Sequence, residues 1–79
     1  MLTKQSTALT LTAVIHQEED LYVAQCPEVG TVSQGDTIEE AVANLREATE
    51  LYLEEFPLES IRRPLFTVFE ATVVETVYA

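Results

Sequence analysis

From Ala8 to Gln17 the chain alternates. Leu9, Leu11, Ala13 and Ile15 point one way, and Thr10, Thr12, Val14 and His16 the other. A period of two is the signature of a half-buried strand. Glu18-Glu19-Asp20 breaks it as a charged turn. Leu21 to Cys26 then resumes it, with Tyr22, Ala24 and Cys26 opposite Leu21, Val23 and Gln25. So short a connection predicts a hairpin, and therefore antiparallel pairing. Pro27 has no N–H to give a ladder and ends the second strand. Gly30 supplies a turn, Thr31 to Gln34 is a short third strand, and Gly35 breaks it.

The period then changes to that of a helix, from about Thr37 to Phe56. Ile38, Ala41, Val42, Leu45, Ala48, Thr49, Tyr52, Leu53 and Phe56 fall on one stripe, opposite Glu39, Glu40, Arg46, Glu47, Glu50 and Glu54. The start is written into Gly35-Asp36-Thr37-Ile38-Glu39-Glu40-Ala41. Thr37 or Asp36 caps the first turn, and Glu40 stands three residues after Thr37 as a capping box requires. Pro57 stops the helix. Pro64 closes a linker that holds Arg62 and Arg63.

Phe66 to Tyr78 is a long β-prone run with two largely apolar faces, interrupted by Glu70 and Glu75. Fully extended it would span about 40 Å, longer than the core beneath it. One helix covers one face of a sheet, so the other face needs cover from another chain. Phe66, Val68, Val74 and Tyr78 are therefore the candidate self-association residues. The whole reads as an α+β domain of order β-β-β-α-β. A meander and a right-handed crossover give sheet order 3-2-1-4 with one helix on one face. All 79 residues form a single domain, with 1–7 as a flexible leader. A core this small is marginal alone, so a homo-oligomer, dimer or tetramer, is expected.

Composition sharpens the choice of partner. Fourteen acids against four bases leave a net charge of −10. Phosphate contacts need Lys or Arg, so direct nucleic-acid binding is disfavoured. The charge serves either a cationic partner or solubility alone. With one cysteine, Cys26, no intrachain disulfide forms. The N-terminus has no signal-peptide core, and no apolar run is long enough to span a bilayer. A cytoplasmic protein is expected.

The residues offer little chemistry. His16, the only histidine, ends a strand beside the charged turn and reads as solvated. Cys26 has no activating neighbour. Gly30 and Gly35 make no phosphate loop. The Glu18-Glu19-Asp20 turn reads as solvated rather than as a cation site. The first strand carries no acid from which a two-metal site could be built. No catalytic, cofactor or metal residues are assigned, and no enzyme activity is expected. What stands out is an acidic ridge late in the helix. Glu47, Glu50, Glu54 and Glu55 repel one another and oppose the helix dipole, offset only in part by an Arg46–Glu50 pair. With Leu51 among them, these residues are the candidate partner-binding face. A basic partner would account for the ridge, as would chance surface composition.

Asp20 to Gly30 (DLYVAQCPEVG) followed by Val32 to Ala48 (VSQGDTIEEAVANLREA) resembles the HicB antitoxin family. The carriers are Tyr22, Ala24, Pro27 and Glu28, then Gly35-Asp36-Thr37 with Glu40-Ala41, then Asn44 and Ala48. The resemblance implies a partial ribonuclease H-like domain. It also implies a non-enzymatic protein that binds a HicA-type toxin, a small basic ribonuclease that cleaves mRNA, and holds it inactive. Many HicB antitoxins carry a DNA-binding module after this domain. Here the chain ends at Ala79, so operator binding is not expected. The alternative is an orphan homo-oligomeric interaction module with no toxin.

Overall fold

In the computed structural model, which describes residues 8–56, 61, 63 and 66–77, three strands and one helix form the body. The strands are β1 (Val14–Glu18), β2 (Leu21–Cys26) and β3 (Thr31–Gly35), and the helix is α1 (Ile38–Glu55). The sheet is antiparallel throughout, in the order β1-β2-β3. The expected up-and-down meander is present, and β2 has the expected bounds.

Register fixes the faces. Ile15 pairs with Ala24 and Ala24 with Ser33, while Cys26 pairs with Thr31 and Tyr22 with Gly35. Ala24, Cys26 and Gly35 are buried on this face, under α1. Val14, His16, Leu21, Val23, Gln25 and Val32 share the other, which no element of the body covers. Each hairpin uses a turn that suits its sequence. Glu18 and Leu21 pair directly, leaving Glu19-Asp20 as a two-residue loop, and Glu19 adopts φ 53°. That positive φ at the first loop position matches the right-handed strand twist. In the β2–β3 turn, Gly30 has φ 95° and its N–H reaches Cys26 O at 2.7 Å.

The helix starts as its sequence requires. Thr37 is the N-cap, and its hydroxyl accepts from Glu40 N–H at 3.0 Å. Only Asp36 and Thr37 separate β3 from α1, so the strand end and the first helical turn nearly touch. A Cβ on Gly35 would lie 2.5 Å from Ala41 N and 2.8 Å from the Glu40 carbonyl carbon. Two polar ties set the helix against β3. Thr31 and Thr49 hydroxyls meet at 2.6 Å, and Asn44 Nδ2 donates to Gln34 O at 2.8 Å. The core is Ala24, Cys26, Ala41 and Leu45, with Leu11, Ile15, Tyr22 and Val29 packed around it.

Two expectations are corrected. The apolar stripe is buried only at its centre. Ala41, Leu45 and Thr49 are buried, Val42, Ala48 and Leu53 half-buried, and Ile38, Tyr52 and Phe56 exposed. An 18-residue helix is about 27 Å long, whereas a strand of five or six residues covers less than 20 Å, so the helix overhangs the sheet. At the overhanging end, Tyr52 and Phe56 stack on each other with ring centroids 4.3 Å apart.

The second correction concerns the strand runs at either end of the fold. Residues 8–13 lie outside the ladder, so β1 is shorter than its alternation predicts. Residues 66–77 form no strand and are exposed along their whole length. The fourth strand, and with it the 3-2-1-4 order, is therefore not made in the single chain, and Tyr78 lies outside the described residues. The radius of gyration is 17.9 Å, where a compact domain of this length has about 12 Å. The 66–77 segment is an arm projecting from the body. No helix among the described residues is long and apolar enough to cross a membrane.

Candidate functional site

The β1–β2 ladder ends at Val14–Gln25 and is replaced there by a side chain. Two residues further along the same register, Thr12 would face Pro27, which has no N–H. Glu28 takes over. Its carboxylate accepts from Thr12 N–H at 3.0 and 3.1 Å, from the Thr12 hydroxyl at 2.7 Å and from the Cys26 thiol at 3.6 Å. Glu28 is only 6% exposed. Burial raises its pKa. The Thr12 hydroxyl, its own backbone, the Thr12 N–H and the Cys26 thiol lower it, and together they prevail, holding the carboxyl below the ordinary 4.5. With both oxygens occupied, this carboxylate is a latch that pins the N-terminal segment to the β2–β3 turn. Sequence reading gave Glu28 no role.

The pinned segment forms one wall of a groove. Leu9, Leu11 and Ala13 stand on one side, Val42, Leu45 and Leu53 of α1 on the other, with Cys26 also among the lining residues, around about 420 Å³. The overhanging half of the helix supplies Leu53, which explains why that residue is only half-buried. Arg46 and Glu50 lie at its margin.

The ridge residues Glu47, Glu50, Leu51, Glu54 and Glu55 are all exposed on α1, Leu51 at 58%. The last turn of the helix contains no basic residue. Among the described residues the one contact within 4 Å between a basic and an acidic side chain is His16 Nε2 with Glu18 Oε1, at 3.1 Å. Arg46 and Glu50 therefore do not pair as expected, and no ion pair among the described residues offsets the ridge. Of the self-association candidates, Phe66, Val68 and Val74 are all exposed on the arm.

Among the described residues no three His, Cys, Asp or Glu side chains are placed to hold a metal ion. His16 is exposed, but it stands at the centre of β1 opposite Val23 rather than at a strand end as expected, because the strand runs on through Glu18. Cys26 is buried beneath the helix. The surfaces that remain are an acidic helix face, an open groove, the uncovered sheet face and the apolar arm, each suited to contact with another polypeptide.

A UPF0150 protein of Synechocystis is 53% identical over 57 residues, which cover 70% of this chain and 78% of that protein. The chain belongs to the UPF0150 family. A second UPF0150 protein of Synechocystis is 45% identical over 49 residues, 60% of this chain and 71% of its own. A UPF0150 protein of Helicobacter pylori is 48% identical over 46 residues, 57% of this chain and 64% of its own. No family model matches the chain, and no solved structure matches it.

Proposed function

We propose that this UPF0150 protein is an antitoxin-like inhibitor that neutralises a small basic HicA-type mRNA-cleaving toxin by protein–protein binding. The observation that carries the reading is the acidic ridge of α1, Glu47, Glu50, Glu54 and Glu55 around the exposed Leu51, which no ion pair among the described residues offsets. An acidic helix with an apolar anchor complements a ribonuclease whose RNA site is basic. Covering that site blocks substrate and cancels the positive field that attracts RNA. The resemblance to HicB antitoxins in the Tyr22–Glu28 and Gly35–Ala48 stretches supports the same reading. In this view Phe66–Tyr78 is the fourth strand of a partial ribonuclease H-like sheet of order 3-2-1-4, and it takes its place only on assembly.

The test is co-expression with any small basic protein encoded beside this chain in its own genome. A co-purifying complex, with mRNA cleavage suppressed in its presence and restored on dissociation, supports the inhibitor. A basic neighbour that neither binds nor loses activity refutes it. The exposed apolar arm favours a second reading, a homo-oligomeric interaction module without a toxin, in which the chain's first partner is itself.

A further inference from the structure

The arm and the groove are two incomplete halves of one interface, and they lie in the same chain without meeting. We propose that two copies exchange arms: residues 66–77 of each copy dock along the 8–13 segment and the free edge of β1 of the other, over the groove beside α1. This does not rest on the toxin reading, because it needs only this chain.

Three observations select a second copy as the occupant. First, the arm is written to be buried on both faces. Phe66, Val68, Phe69, Val73, Val74 and Val77 are 60–95% exposed in the single chain. At ordinary residue sizes these six present roughly 800 Å² per arm, about one partner's share of a standard stable interface, and a reciprocal exchange doubles it.

Second, the groove has both things a strand needs. β1 is an edge strand with no second partner strand among the described residues, and the groove's lining of Leu9, Leu11, Val42 and Leu53 offers apolar contact. Arg46 at the margin offers a cation to Glu70 or Glu75 of the incoming arm. An unpaired edge beside an apolar groove is the usual seat of strand addition.

Third, the arm is anchored where an exchange would begin. Arg63 Nη1 donates to Thr10 O at 3.0 Å, so the chain leaves its own body beside the segment that forms the groove wall. Residues 66–77 are then exposed along their whole length, and none of them lines the groove. Two such arms related by a two-fold axis make a closed, isologous pair, the least demanding way to fill both grooves.

The test uses the full chain in two steps. Sedimentation equilibrium of the wild type at micromolar concentration should give twice the chain mass. The Val68→Lys/Val74→Lys double variant should fall to the single-chain mass with unchanged helical circular dichroism. NMR on mixed labelled and unlabelled wild-type copies should then show contacts between Val68 or Val74 methyls of one copy and Leu9 or Leu53 of the other. A wild-type monomer overturns the proposal. So does a double variant that stays dimeric, or a dimer whose arm contacts lie within one copy or only between two arms. If the double variant fails to fold, the wild-type contacts decide alone.

Discussion

Replacing Glu28 by Gln tests whether the latch on the N-terminal segment is a charge-assisted bond or mere filling. The substitution keeps shape and size. It removes the negative charge and turns one of the two accepting oxygens into a donor facing the Thr12 N–H and hydroxyl. Hydrogen bonds to a charged group contribute about 1.5–3 kcal/mol, and an amide retains part of that. The Thr12 groups are only partly buried, so water replaces some of what is lost. A net destabilisation of about 1–2 kcal/mol follows, which in a domain of this size lowers the melting temperature by roughly 5–10 °C.

The pH dependence separates charge from packing. The folded-state pKa of Glu28 lies below its ordinary 4.5. A depressed carboxylate contributes stability that is fully present above the unfolded value and is lost as pH falls through the folded one. Wild type and variant should therefore differ most at neutral pH and converge only as the pH falls through the depressed folded-state value, where a protonated Glu28 and a glutamine are near-equivalent. Thermal melts by circular dichroism, run as a series from neutral pH down into acid, follow the convergence. Equal melting temperatures at neutral pH, or a gap that persists unchanged in acid, would refute the charge-assisted latch.

Leu45→Ala removes the largest aliphatic side chain buried at the helix–sheet contact and should cost about 2–5 kcal/mol, read from the urea midpoint. Gly35→Ala should destabilise by about 1–3 kcal/mol on the same assay, because the new methyl meets the backbone of Glu40 and Ala41, which cannot swing aside as a flexible side chain would. Melting unchanged within experimental error would place that close approach elsewhere. Glu50→Lys/Glu54→Lys should stabilise the isolated chain by a few tenths of a kcal/mol through relief of like-charge repulsion. It should weaken binding of a basic toxin roughly tenfold or more, measured by calorimetry. Unchanged affinity would remove the ridge from the interface.

What the sequence showed and what it hid divide along one line, the range over which a residue acts. β2 was legible because a charged turn and Pro27 bound it on either side. The start of α1 was legible because Thr37 and Glu40 cap within a single turn. Both are local agreements between neighbours. The shortening of β1 was not legible, since its alternation continues upstream to Leu9. The strand stops because its partner reaches a proline, which is a property of the other strand. Glu28 was hidden for the same reason. Within Pro27-Glu28-Val29-Gly30 it looks like any solvated turn acid, and nothing near it announces a partner sixteen residues earlier. The only signal available was indirect: a strand run that outlasts its hairpin mate leaves N–H groups to be satisfied, and the nearest acceptor past the proline is this carboxylate.

The arm carries that reasoning one step further. Its pattern is that of a strand, yet a strand is defined by pairing, and pairing is not a property of a segment. In the single chain, residues 66–77 have β composition without β structure. Their apolar side chains stand in water at a cost that a chain of this size can hardly bear. The groove carries the complementary deficit, an apolar floor beside an unpaired edge. Each deficit is ordinary alone, but they match in chemistry, and the Arg63–Thr10 contact puts the root of one beside the wall of the other. On the proposed exchange of arms, the missing strand and its seat are joined only in the assembly. The fold's stability should therefore rise with protein concentration, as that of no self-sufficient monomer does.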